Sequence, residues 1–187
     1  MSRRVSVIVF SILLVSALWA VRPLINPLVS AAQAQTADDY PTSFTGSLVE
    51  PSLERVAIKG TVYVAAYSTV RSGAGKGKVD LATTLSIHNI STERPLNILR
   101  VDYFDTAGNL LHRYLSKPIG IRPFGTVEVF VPAEHTRGGT GANFVVEWTA
   151  NARVPEPLIE TVMIGSAGAQ GIAFTSRGTN IINALPQ

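Results

Sequence analysis

Apolar and polar residues alternate with a period of two along most of the chain beyond residue 57. The clearest runs cover residues 79–88, 127–131 and 144–148. In each run, apolar residues occupy every second position and polar residues occupy most of the positions between them. Because successive side chains of a β-strand point to opposite faces of the sheet, this alternation predicts half-buried strands. Similar runs occur near residues 58–67, 96–105, 110–116, 158–164 and 172–177.

These eight short runs predict an all-β fold. Gly, Pro and Asn turns separate them, and no helical period occurs past residue 40. We expect an immunoglobulin-like or related antiparallel β-sandwich of about seven to eight strands, with a small barrel as the alternative. The chain of 187 residues has room for one such domain, which we place at 58–178, between a flexible arm at 35–57 and a tail at 179–187. No cysteine is present, so this fold needs no disulfide.

The N-terminus has the pattern of a signal peptide over residues 1–34. Arg3 and Arg4 precede an apolar run at 5–21, and a small-residue stretch ends in Ala32-Gln33-Ala34. This order predicts cleavage between Ala34 and Gln35 and an exported protein, periplasmic or secreted. The alternative is an uncleaved helix over 5–21 that anchors the protein in the inner membrane, although that run is at the short limit for a bilayer span.

The net charge of +3 belongs to the signal segment. The chain has 16 basic and 13 acidic residues, and Arg3, Arg4 and Arg22 account for the excess. The remaining chain is therefore neutral and lacks the positive surface that nucleic-acid binding requires, which excludes that class of partner. We expect contact with a membrane only through the signal segment, if it is not cleaved.

The sequence also predicts the register of one hairpin. Asp105-Thr106-Ala107-Gly108 has the residues of a short turn with a bulge, closed by Asp105 and Asn109. Counting back from this closure places Asp102 opposite His112 and Leu99 opposite Leu115. Arg113 then falls on the core face, where a charged side chain is unfavourable.

Glycine is concentrated in the loops that strand direction brings to one end of the sandwich. The loops 68–78, 105–109, 133–142 and 165–171 contain ten of the fifteen glycines. Because glycine permits positive φ and close backbone approach, any site for a small anionic ligand is expected there. The favoured interpretation is that these glycines only form tight turns. The candidate ligand-binding residues are Arg137, Gly138, Gly139, Gly141, Asn143 and Gln170.

No motif for catalysis or metal binding is present, so we predict no catalytic residue, metal site or cofactor. His88, His112 and His135 lack the close spacing of metal ligands. Ser166 lies in a glycine-rich loop without the Gly-x-Ser-x-Gly pattern of serine hydrolases. Five aromatic residues are interpreted as core or edge packing, namely Phe44, Tyr63, Tyr67, Phe124 and Trp148.

Several segments between residues 61 and 178 resemble an uncharacterised family of bacterial envelope proteins, domain of unknown function 3124. They are Tyr63–Ser68, Leu85–Asn89, Val101–Asp105, Gly138–Trp148 and Met163–Gly171. The resemblance implies an exported β-domain and lends no catalytic residue. We therefore expect a non-enzymatic binding or protein-interaction module whose partner is an envelope protein. The alternatives are a small-molecule or anion binder at the glycine-rich loops and, less favoured, a hydrolase.

Overall fold

The computed structural model describes residues 46–182, which form two antiparallel β-sheets. In chain order the strands are β1 (Leu48–Val49), β2 (Ile58–Ala65), β3 (Thr69–Ser72), β4 (Gly77–His88), β5 (Leu96–Phe104), β6 (Leu110–Arg113), β7 (Ile119–Ile121), β8 (Thr126–Val131), β9 (Asn143–Ala150), β10 (Leu158–Ala167), β11 (Gln170–Arg177) and β12 (Thr179–Ile182). A 3-10 turn covers Thr136–Gly141.

The two sheets pack as a sandwich around one main core. The first sheet has the order β1-β7-β5-β9-β2-β12, with β6 also paired to β5. The second has the order β11-β10-β4-β3, with β8 also paired to β4. Alternate residues of each strand face inward, and Trp148, Phe144 and Leu85 are among the largest side chains that this arrangement buries. The expectation of an all-β sandwich is confirmed.

Six connections lead the chain from one sheet into the other, and two of them, β2–β3 and β11–β12, are fixed by backbone hydrogen bonds next to the crossing. Between β2 and β3, Ala66 N–H donates to Ala142 on the first-sheet side, and Leu81 N–H donates to Ser68 on the second. Between β11 and β12, Gly178 N–H donates to Ile159 at 2.8 Å. A Cβ at residue 178 would come within 2.5 Å of Val62 Cγ1, so this crossing requires the small residue.

Each of the eight predicted runs contains a strand, and four further strands are very short. β3 lies inside the segment predicted as loop 68–78, and β7 lies between the runs predicted at 110–116 and 127–131. β1 lies in the predicted arm, and β12 extends the first sheet into the segment predicted as a tail. These four strands show too few alternations to be recognised from a period of two, whereas the four residues of β6 lie within the longer run 110–116.

The predicted closure of the β5–β6 hairpin is correct, but the predicted register beyond it is wrong. Asp105 N–H donates to Asn109 at 3.0 Å, and Phe104 lies opposite Leu110. A bulge then shifts β6 by one residue, so that Asp102 lies opposite Arg113 and not His112. The shift moves Arg113 away from the core face. A second bulge, in β5, leaves Leu99 only partly buried while Ile98 is fully buried.

The predicted signal segment, including Ala34 and Gln35, lies outside the described residues. Within residues 46–182, no helix is long and apolar enough to span a membrane.

Candidate functional site

Three of the predicted glycine-rich segments meet at one end of the sandwich. Thr106 N–H and Thr106 Oγ1 both donate to the Gly138 carbonyl, at 3.0 and 2.9 Å. Thr106 Oγ1 in turn accepts from Gly141 N–H at 2.9 Å. Ser68 N–H donates to the Gly139 carbonyl at 3.0 Å. The turn Thr136–Gly141 is therefore fastened to both the β5–β6 hairpin and the start of β3.

Close packing accounts for the glycines at this junction. Gly138 is buried, and a Cβ there would overlap Tyr103 Oη and Ser68 Oγ, which share a hydrogen bond of 2.6 Å. Gly139 has φ +73°, a conformation that favours glycine, and a Cβ there would lie 2.7 Å from Thr106 Oγ1. Burial raises the pKa of Tyr103, so its hydroxyl stays neutral beside Ser68.

The other candidate ligand-binding residues are more dispersed. Arg137 is exposed on the same turn, and Asn143 begins β9, where it lies opposite Ala65 and Phe104. Gln170 lies at the tip of the β10–β11 hairpin, and strands β10 and β4 separate its strand from β3. Anion binding by this set stays a prediction. Among the described residues, Gly138, Gly139 and Gly141 are brought together by their packing on Thr106, Ser68 and Tyr103.

The buried carboxylate of the described domain is held by arginines. The side chain of Asp102, 2% exposed, accepts hydrogen bonds of 3.0 and 3.2 Å from Arg113 and lies 3.4 Å from Arg100. Arg100 also contacts Glu147 at 2.5 Å. Hydrogen bonding to Asp102 and its negative charge raise the pKa of Arg113. Two cations and two carboxylates thus balance one another on the outer face of the first sheet.

The histidines and Ser166 do not combine into a reactive group. The His112 ring packs edge-on against Tyr114 with centroids 4.4 Å apart, and burial lowers the pKa of His112. His88 Nδ1 lies 2.9 Å from Thr126 Oγ1, at the opposite end of β4 from the glycine-rich turn. Ser166 is exposed and pairs with Gly171. Within residues 46–182, no three His, Asp or Glu side chains are grouped so as to hold a metal ion.

Sequence comparison identifies the protein family to which most of the chain matches. Residues 59–181 match the family described as "Protein of unknown function (DUF3124)". The chain belongs to this family. No curated protein matches it. Among solved structures, the crystal structure of Thermotoga maritima 1070 matches 71% of this chain and 100% of its own, with 11% identity and a TM-score of 0.38.

Strand β11, within the DUF3124 region, forms the free edge of the second sheet. It pairs with β10 over all eight residues without a register shift, and no strand among residues 46–182 pairs with its other side. In an antiparallel ladder, hydrogen-bonded and non-bonded residue pairs alternate along the strands. Gly178 and Ile159 form a bonded pair, and this determines which residues of β11 bond to β10. Even-numbered residues therefore bond to β10. The N–H and C=O groups of Gly171, Ala173, Thr175 and Arg177 point to the free edge.

The outer face of the second sheet, next to this edge, exposes large apolar side chains. Ile164 on β10 is 57% exposed and lies opposite Ala173 and Ala82. Phe130 on β8 is 52% exposed, and the adjacent Thr84 separates it from Val162 on β10. The sequence had indicated these strands, but only the order of the strands shows that β11 is an edge.

Proposed function

We propose that the domain is a non-enzymatic protein-interaction module of the bacterial envelope, and that it binds an extended segment of a partner protein along β11. The observation that carries this proposal is the regular, unpaired edge of eight residues. A partner strand placed there continues the second sheet by β-strand addition, in which backbone hydrogen bonds supply affinity and side-chain pockets supply specificity.

β11 lacks the features that normally protect an edge strand. Natural edges are blocked by lysine, proline, bulges or short length, because unpaired backbone groups attract other chains. Between Gln170 and Ser176 there is no charged residue and no proline. By contrast, β12 is irregular at residues 180–182, and β1 has only two residues.

The side chains along β11 leave room for a partner. Gly171, Ala173 and Thr175 combine small side chains with outward-pointing backbone groups. Beside them, the exposed Ile164 provides an apolar contact for a side chain of the added strand. The charge-balanced Asp102 cluster and the dispersed histidines support a non-enzymatic role. Placement in the envelope rests on the signal peptide predicted for residues 1–34.

The test replaces Ala173, whose N–H points to the free edge. Ala173→Pro removes that donor without removing a hydrogen bond to β10, and Ala173→Thr is the matched control that keeps the donor. Tagged wild-type and variant proteins are recovered from the native host after mild cross-linking, and bound proteins are quantified by mass spectrometry. A recovered partner is then purified and its effect on hydrogen exchange along 170–177 is measured.

We expect a partner that Ala173→Thr retains and Ala173→Pro loses, and that slows exchange at Ala173 and Thr175. A partner bound equally by both variants contradicts the proposal, as does protection confined to another surface. If the bound chain is a second copy of this protein, the edge is a self-association site and the heterologous partner proposed here is wrong.

A further inference from the structure

The turn Arg122–Gly125 holds a phenylalanine in a backbone conformation that bulky residues rarely adopt. Gly125 N–H donates to the Arg122 carbonyl at 2.9 Å, with Pro123 and Phe124 as the two central residues. Phe124 has φ +56°, at the turn position where glycine or asparagine is usual. Its side chain is 71% exposed, the most exposed large apolar side chain of the described residues. Packing therefore offers little compensation for the strained backbone.

A second apolar side chain lies on the neighbouring turn. Asn89 N–H donates to the Gly125 carbonyl at 2.9 Å, and the next residue, Ile90, is 43% exposed. The buried Asn89 amide also donates to the carbonyls of Arg94 and Ile121, at 2.8 and 3.0 Å. One buried side chain thus ties the two turns together, so Ile90 and Phe124 project from a fixed scaffold.

Each of the two turns also contains an exposed arginine. Arg94 and Arg122 are exposed, and Glu93 is the one acidic residue in the turns 89–95 and 121–125. Exposed apolar side chains beside cationic ones suit a membrane surface, where apolar groups enter the headgroup boundary and arginines contact phosphates. Aromatic rings are particularly favoured at that depth.

We propose that Ile90, Arg94, Arg122 and Phe124, here called the Phe124 tip, dock the domain onto a lipid surface containing anionic phospholipids, a contact beyond the one expected from the signal segment. The Phe124 ring and Ile90 enter the interface, and the two guanidinium groups bind lipid phosphates. The Phe124 tip is separate in the fold from β11, so this proposal does not depend on the one for the edge strand.

The test measures binding to vesicles of phosphatidylcholine alone and of phosphatidylcholine mixed with phosphatidylglycerol. Phe124→Gly removes the ring and suits the positive φ, so this variant keeps the fold. Phe130→Ala removes an exposed phenylalanine on the sheet face and is the matched control. All variants carry the same N-terminus, so differences between them report on the tip even if residues 1–34 are retained.

We expect Phe124→Gly to weaken binding to the mixed vesicles about tenfold, because a phenylalanine ring no longer leaves water. Phe130→Ala should bind like the wild type, and added salt should weaken the binding of both. In a second measurement, Phe124→Trp should show a blue-shifted tryptophan emission on contact with vesicles, and Phe130→Trp should not.

Three results would overturn the proposal. They are equal binding of wild type and Phe124→Gly, equal binding to the two vesicle types, and unchanged emission from Phe124→Trp. If the tip instead engages a protein, binding to lipid alone will show no difference between the variants, which also rejects docking on lipid.

Discussion

A methyl group has no room at Gly138, because the Ser68 and Tyr103 hydroxyls occupy the space that a Cβ would need. Both hydroxyls are buried and bonded to each other, so neither side chain moves aside without loss of that bond. We expect Gly138→Ala to lower the free energy of unfolding by about 1–3 kcal/mol, the usual cost of overpacking. The shift in denaturant midpoint measures it.

Gly171→Ala is the matched control at a glycine of the same predicted loop group. Nothing lies within 4 Å of a Cβ at residue 171, so the free energy of unfolding should stay within about 0.5 kcal/mol of the wild type. Equal effects of the two substitutions would show that the junction around Gly138 is looser than the contacts indicate.

Gly60 is a second position where close packing leaves no room for a side chain, in this case because of Trp148 inside the sandwich. They lie opposite each other on β2 and β9, and a Cβ at residue 60 would lie 2.6 Å from Trp148 Nε1. The glycine thus makes the space that the indole ring occupies. Burial of Trp148 confirms the face assigned to it from its alternation with Phe144 and Val146.

At the scale of one element, the β5–β6 hairpin depends on an ionised Asp105. Its carboxylate accepts from the side chain and the backbone N–H of Asn109, at 3.0 and 2.8 Å, and from Ala107 N–H at 2.9 Å. These bonds, the Asn109 side chain first, lower the pKa of Asp105 below its ordinary value of 3.8. A lowered folded pKa means that the contribution is complete above the ordinary value and is lost as the pH falls through the lowered one.

We therefore expect the Asp105 carboxyl to titrate at lower pH in the folded protein than in urea-unfolded protein. An NMR titration of its chemical shift measures both values, and the protection of the Asn109 and Ala107 amides against exchange, relative to the intrinsic rate at each pH, should fall as the group is protonated. A folded pKa equal to or above the unfolded one would show that the turn does not need the charge.

The neighbouring bulge in β6 shows how one inserted residue changes which side chains meet. Without it, Asp102 faces His112 and Arg113 lies over the core. With it, Arg113 reaches Asp102 through two hydrogen bonds, and the buried carboxylate is neutralised. The unbulged register is disfavoured because it would bury the charged Arg113 against the core.

At the scale of the whole molecule, a remainder of the chain with no net charge follows a segment predicted to direct export. We expect the mature protein to begin at Gln35, because Ala32-Gln33-Ala34 places small residues at the positions that signal peptidase recognises. N-terminal sequencing of the protein recovered from the periplasm or medium measures this. A first residue of Met1 or Ser2 would show that the apolar run is retained, as expected for an anchor.

The fold class and the longer strands could be predicted from the amino-acid sequence alone. An alternation of period two is a local property, and eight runs of it were long enough to identify strands. It also predicted the closure by Asp105 and Asn109, because turn chemistry depends on a few consecutive residues. Alternating strand direction also predicted that loops 105–109 and 133–142 lie at the same end of the sandwich. The hydrogen bonds from Thr106 to the Gly138 carbonyl confirm this prediction.

Other features depend on contacts between segments and could be seen only in the tertiary structure. The bulge in β6 brings Arg113 opposite the buried Asp102, and the glycines beside Thr106 allow other segments to pack closely. Both features therefore depend on contacts beyond the local sequence. Phe124 was interpreted from the sequence as a packing residue, but its side chain is exposed. Hydrogen bonds within and between two turns hold its backbone at positive φ. That β11 is an edge depends on strand order, which follows from how the sheets bury their apolar faces together.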